Sequence, residues 1–304
     1  MEAIDWLLDS DPAIRWQTLR DLTAASPAAV AAERALVPNE GVGAQILASQ
    51  GSDGSWHRTD APTWLPTVYT MLLLRATGVD HTDPAVGSAV ARLATGFRWH
   101  EQLGHKPFFE GETEPCLNGG TLALGAYFGR PNADLARRLV SEQLEDGGWN
   151  CEAPKSLRSS FHSTICVLEG MLEYEQAVGS TPEIAEARGR GEEYLLTRAL
   201  FRRRSTGEVA NADFLTFAYP PRYQYDVLRA LDYLRAAGVA PDARMDEAVN
   251  IISSRQQPDG RWLLDRTNYE ALAFPFNEAL GEPSRWITLR ALRVLRWYES
   301  RRRS

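Results

Sequence analysis

Gln143-Leu144-Glu145-Asp146-Gly147-Gly148-Trp149 is the stretch on which the fold turns, because the 304-residue chain repeats it. The pattern Gln-x-x-x-Gly-x-Trp recurs with the same spacing at Gln50, Gly54 and Trp56 and again at Gln256, Gly260 and Trp262. An Asp stands directly before the Gly each time (Asp53, Asp146, Asp259), and a helical stretch such as Leu135-Ala136-Arg137-Arg138-Leu139-Val140 comes ahead of it. Asp-Gly is suited to end a helix and turn the chain through a conformation that glycine tolerates, after which the Trp folds back onto the neighbouring layer. Three copies predict a repeated helical unit.

The distance from Trp56 to Trp149 suits two helical hairpins, with Gly96-Phe97-Arg98-Trp99 as a degenerate copy between them. The longer distance from Trp149 to Trp262 suits two more, with an insertion around residues 202–207. Prolines precede apolar helical runs at Pro12, Pro62, Pro115, Pro221 and Pro283. Proline fits the first helical turn, where its missing N–H would lack a partner anyway. The remaining unit uses Arg158-Ser159-Ser160-Phe161-His162, with serine as the cap. Ile14-Arg15-Trp16-Gln17-Thr18-Leu19-Arg20 also matches Ser284-Arg285-Trp286-Ile287-Thr288-Leu289-Arg290. The expectation is an all-α chain of six hairpins closed into a single (α/α)6 toroid over residues 1–304, frayed from 299 onward. No stretch alternates like a strand.

Composition sets outer bounds. With 44% hydrophobic and 24% charged residues the chain has enough apolar side chains for a large core. A net charge of −7 argues against nucleic acid as a partner. The opening Met1-Glu2-Ala3-Ile4-Asp5-Trp6 is no signal peptide, and no apolar run is long enough to span a bilayer. Three cysteines without a secretory signal read as reduced thiols, and the expected location is the cytoplasm.

The repeats resemble the QW motifs of squalene and oxidosqualene cyclases and the related repeats of protein prenyltransferase β subunits. The resemblance covers nearly the whole chain. It implies a double ring of helices, with the inner helices parallel and their N-termini gathered at one mouth of a central cavity. It does not carry the acid motif of proton-initiated cyclases, because Asp5, Asp9 and Asp11 have the wrong spacing. The similarity to prenyltransferases extends to a zinc site. Glu114-Pro115-Cys116 is similar to their Asp-x-Cys element, and Phe161-His162-Ser163-Thr164 to the stretch that carries their zinc histidine. Cys116 and His162 lie about one repeat apart, and Cys151 follows Trp149 closely.

Glu114, Cys116, Cys151 and His162 are thus the expected metal ligands, with zinc as the implied cofactor. Plainer readings stand beside this. An acid before a helix-start proline is favoured by the helix dipole, free cysteines (Cys166 especially) pack as small apolar residues, and a histidine can sit satisfied in a core. Trp64, Tyr223, Tyr225 and Trp286, with Arg222 and Arg285, are expected to line the mouth as substrate-binding residues, whereas the three motif tryptophans pack between hairpins. Arg15, Arg58 and Arg266 share that rim, and pairing with Asp60, Asp213, Glu270, Glu278 and Glu282 is the commoner fate of such arginines.

The leading expectation is a prenyltransferase-like or terpene cyclase-like enzyme acting on an isoprenoid or other apolar small molecule, with a protein partner as in the β subunits. The alternatives are a metal-free cyclase-like enzyme using Glu114 or Asp213 as catalytic acid, and a non-catalytic toroid that binds a ligand or protein.

Overall fold

The computed structural model describes residues 2–61, 64–274, 276 and 278–302. Thirteen α-helices and five one-turn 3-10 helices make up its regular structure, and among the described residues β pairing is confined to isolated bridges. Helix α1 (Ala3–Leu8) leads into α2 (Pro12–Leu22), and α3 (Pro27–Arg34) and α4 (Gly41–Ala48) lead into α5 (Trp64–Thr77). Three further pairs follow: α6 (Pro84–Gly96) with α7 (Pro115–Tyr127), α8 (Ala133–Ser141) with α9 (Phe161–Val178), and α10 (Pro182–Leu196) with α11 (Val227–Ala236). The last pair is α12 (Asp246–Ser254) with α13 (Arg285–Arg302), so helix continues well past residue 299. No described helix is long and apolar enough to cross a membrane.

Proline and a polar cap begin several helices, but not all those the sequence nominated. Pro12 and Pro115 open α2 and α7 as expected. Pro62 lies outside the described residues. Pro221 instead sits in an irregular stretch, and α11 starts six residues later, where the Asp226 side chain accepts from Arg229 N–H. Pro283 stops short of α13, and Ser284 caps that helix by accepting from Ile287 N–H at 3.1 Å. Ser160 stands at the N-cap of α9 without a side-chain bond to the helix. The same proline device opens α3, α6 and α10, at Pro27, Pro84 and Pro182, where Ser26, Asp83 and Thr181 are the caps.

The three motifs share one set of hydrogen bonds. Gly54, Gly147 and Gly260 take φ of +82°, +96° and +83°, which L side chains rarely adopt. Each motif Trp then turns back and is almost fully buried. Its indole N–H donates to a carbonyl of the preceding helix: Trp56 to Ile46 at 2.9 Å, Trp149 to Leu139 at 2.7 Å and Trp262 to Ile252 at 2.8 Å. Gln50 and Gln143 each donate to the motif Gly carbonyl and also to a carbonyl of the next first-of-pair helix, Ala85 at 3.0 Å and Ala187 at 2.7 Å. The motif therefore stitches one pair to the next. Trp99 of the degenerate copy is equally buried but donates forward, to Phe108 at 2.8 Å.

The second helices are neighbours. α5 packs on α7, α7 on α9, α11 on α13, and α13 returns to α2. Trp16 of α2 donates to Thr77 O at the end of α5 (2.7 Å), and Arg229 of α11 pairs with Glu169 of α9 (2.6 Å). The closest approach is α7 against α9. A Cβ on Gly119 would lie 2.2 Å from Cys166 O, and one on Gly170 would lie 2.3 Å from Gly119 O. Two glycines let these backbones touch.

Candidate metal centre and the cavities beside it

That contact decides what meets at the N-terminal ends of α7 and α9. Glu114, Cys116 and Cys151 converge, with one ligand atom from each inside a mutual 4.8 Å. Glu114 occupies the N-cap position of α7, but its carboxylate makes no capping bond. It turns instead to Cys116, whose thiol donates to Glu114 Oε2 at 3.7 Å. Helix-dipole attraction alone does not account for that orientation. Cys151 comes from the loop after Trp149, and its Sγ lies 3.2 Å from Ser163 Oγ. Its N–H donates to the same oxygen at 3.3 Å.

The two thiols shift each other's titration. The Cys116 thiol bonded to Cys151 holds the Cys151 thiol down to about 7 against the opposing effect of burial, and Ser163 adds to the lowering. The same contact, reinforced by burial, pushes Cys116 far above the ordinary thiol range.

His162 does not join the group. Its Nδ1 accepts the Tyr225 backbone N–H at 2.9 Å, so its proton sits on Nε2 and neither nitrogen has a free lone pair for a metal. Burial, then Arg229 and Arg266, push its pKa below the usual value and keep the ring neutral. This corrects the expected ligand set: His162 is held by the Tyr225 backbone and packed against Phe214 and Tyr223. Cys166 is buried, as expected of a packing cysteine, within 3.6 Å of Arg229 Nη2.

Glu112 is a participant that sequence reasoning missed. Almost fully buried, it accepts from Glu114 N–H at 2.8 Å, while its own N–H donates to Asn118 Oδ1 at 2.7 Å. Burial, with Glu114 adding to it, lifts the Glu112 carboxyl to about 7. The acid two residues before Glu114 was a visible signal, but nothing in the sequence showed that it would be buried.

The expected substrate-binding residues scatter. Cys116 borders a cavity of about 60 Å³ walled by Tyr69, Trp99, Leu117, Arg222 and Tyr223. That volume holds only a few heavy atoms; the larger space between the second helices, about 430 Å³ with Trp16, Tyr127, Tyr219, Tyr233 and Trp286 in its wall, does not include Cys116. The segment Pro220-Pro221-Arg222-Tyr223 walls the smaller cavity, with the Arg222 guanidinium over the Tyr69 ring and bonded to Glu270 at 3.1 Å. Trp64 packs edge-on against Trp99 and borders neither this cavity nor its neighbours. Tyr225 is fully buried, its hydroxyl donating to Leu200 O, so it is a packing residue and not a ligand contact. Trp286 and Arg285 lie on the far side and wall a separate cavity of about 430 Å³ with Trp6 and Phe276. Asp213 is exposed on the one-turn helix Ala212–Leu215 and is not in the walls of these three cavities.

The rim arginines are partnered. Arg15 pairs with Glu33 and Arg58 with Asp60, Arg285 donates to Trp6 O and Asp9 O, and Arg266 donates to Asp213 O.

No family model matches the chain, and no curated protein matches it. Among solved structures, a crystal structure of a protein from Actinoplanes is similar to 98% of this chain over 97% of its own, with 16% identity and a TM-score of 0.49.

Proposed function

We propose that the chain is a single (α/α)6 toroid acting as a zinc-dependent enzyme of the prenyltransferase and terpene cyclase kind, with Glu114, Cys116 and Cys151 as the zinc ligands. The observation that carries this reading is the convergence of two thiols and a carboxylate within 4.8 Å. The neighbour relations of α2, α5, α7, α9, α11 and α13 support the ring. Two sulfurs and one carboxylate oxygen suit zinc, and three protein ligands leave a coordination position open for substrate. When bound, zinc supplies Lewis-acid chemistry and lowers the pKa of a thiol or water placed on it.

The protein's own groups prepare the site. Ser163 is hydrogen-bonded to the Cys151 sulfur and helps lower its pKa, while Glu112 fixes the turn that presents Glu114. Tyr69, Leu72 and Trp99 make the wall behind Cys116 largely apolar. A cavity of about 60 Å³ there receives the reacting end of an apolar substrate, with the remainder outside it. An apolar, isoprenoid-like ligand and a protein partner belong to this reading, as they do for the β subunits it resembles.

Elemental analysis after exposure to zinc and desalting is the direct test. The expected result is about one zinc per wild-type chain, lost in Cys116→Ser with Cys151→Ser. A folded wild type that retains no zinc would sink the proposal.

A further inference from the structure

At the other end of the inner helices lies a cavity of about 430 Å³ that plays no part in the metal centre. Its walls come from α2, α5, α7, α9, α11 and α13, and it shares Arg75, Ala76, Glu169, Pro221 and Arg229 with the smaller cavity. Among the described residues it is lined by seven arginines against two glutamates and one aspartate, in a chain whose net charge is −7. Arginine near helix C-termini is favoured by the dipole, which accounts for some of them. Others are paired: Arg75 with Glu173 at 2.5 Å and Arg229 with Glu169 at 2.6 Å. The acids are nevertheless fewer than the arginines. Asp232 is shared by Arg235, Arg290 and Arg293, and only Arg293 among them has a second acid, Asp21.

Arg290 and Tyr219, both more than nine-tenths buried, are left on this wall with unused hydrogen-bonding capacity, as is the Nε of the half-buried Arg75. Arg290 is 7% exposed and uses its Nε toward Asp232 Oδ2 at 3.2 Å, while its Nη1 has no partner. Tyr219 is 2% exposed and stacks on Trp286 at 4.6 Å, and its hydroxyl has no partner either. Buried donors without acceptors are costly and uncommon in native proteins, and here two of them border one cavity with surplus positive charge. An arginine and a phenol are a donor set for an oxyanion. Trp16, Leu172, Trp286 and Leu289 provide flat apolar surface beside them.

We propose that this cavity is a binding site for a small organic oxyanion, a carboxylate or phosphate carried on a flat apolar body, with Arg290 and Tyr219 as its direct donors. Neither Arg290 nor Tyr219 borders the smaller cavity beside Cys116, so the fate of this site does not depend on whether Glu114, Cys116 and Cys151 hold zinc.

Titration calorimetry on the full chain with phenyl phosphate, benzoate and inorganic phosphate tests this. Saturable binding of phenyl phosphate or benzoate is expected, with the stronger of the two identifying the anion class and inorganic phosphate weaker for want of the apolar body. Arg290→Met and Tyr219→Phe should each weaken that binding about tenfold or more. Tyr219→Phe retains the stacked ring and removes only an unpartnered hydroxyl, so its urea midpoint should equal or exceed that of the wild type. That variant keeps the test decisive if Arg290→Met folds poorly. The proposal is overturned if no probe binds saturably at millimolar concentration. Binding that persists unchanged in Tyr219→Phe, or that sodium chloride abolishes equally in wild type and variants, overturns it too, since either marks only a diffuse positive field.

Discussion

Thr164 shows how a single hydroxyl holds the repeat together. Its Oγ1 accepts the backbone N–H of Trp149 at 3.1 Å, and Thr67 and Thr288 do the same for Trp56 and Trp262, both at 3.0 Å. Each threonine lies in the first turn of the helix after its motif, so the turn is fixed to the helix it introduces. Thr164→Val keeps the shape and removes the acceptor from a buried N–H. A loss of about 1–3 kcal/mol is expected in urea unfolding at unchanged m-value. His162 offers a second residue-scale prediction. Because its Nδ1 is engaged by Tyr225 N–H, His162→Gln should leave zinc stoichiometry unchanged while Cys151→Ser removes it. Metal content of the two purified variants checks both halves.

At the scale of elements, the contact of α7 with α9 controls the candidate centre. Gly119 and Gly170 allow carbonyl-to-Cα approach, and the first turns of these helices carry Cys116 and Ser163. A methyl group at either glycine meets backbone, which cannot move aside as a flexible side chain would. Gly170→Ala should therefore cost about 1–3 kcal/mol through forced separation of the helices. It should also weaken zinc binding, because Cys151 and Ser163 would shift relative to Cys116. Denaturant unfolding and a competitive zinc titration on the same preparation test the two effects. Unaltered stability in Gly170→Ala would show that the helices have room to part.

Across the whole molecule, Asp232 joins the last second-of-pair helices through Arg235, Arg290 and Arg293, and Arg293 reaches on to Gln17 and Asp21 of α2. Burial alone would raise the Asp232 carboxyl, but Arg293, Arg235 and Arg290 together hold it far below the usual carboxylate range. A carboxyl whose folded pKa is depressed stabilises the fold above its unfolded value near 3.9, and that contribution fades as pH falls toward the folded value. Asp232→Asn should thus be about 3–5 kcal/mol less stable at pH 7, since it leaves buried guanidinium groups without their counter-charge. The gap to wild type should narrow steadily below about pH 4. A gap independent of pH between 7 and 2 would assign the loss to packing. Urea unfolding across that range decides.

The helical, repeated character of the chain was legible before any coordinates. Gly and Trp at fixed spacing carry their meaning locally: a positive φ admits few residues but glycine, and a large indole with one N–H has to find both burial and an acceptor. Glu114, Cys116 and Cys151 were legible as metal-ligand types for the same reason. Their separation from His162 was not, because a histidine's fitness as a ligand depends on which of its nitrogens a distant backbone N–H occupies. Nor were the buried state of Tyr225 and Glu112, or the walling of the smaller cavity by Pro220 to Tyr223. Those outcomes follow from how segments far apart in the chain compete for the same interior space, and only the packed tertiary structure settles such a competition. The arginine-lined cavity belongs with them: its residues are spread over six helices, each with an ordinary ion partner in view, and the excess of donors exists only once they share one wall.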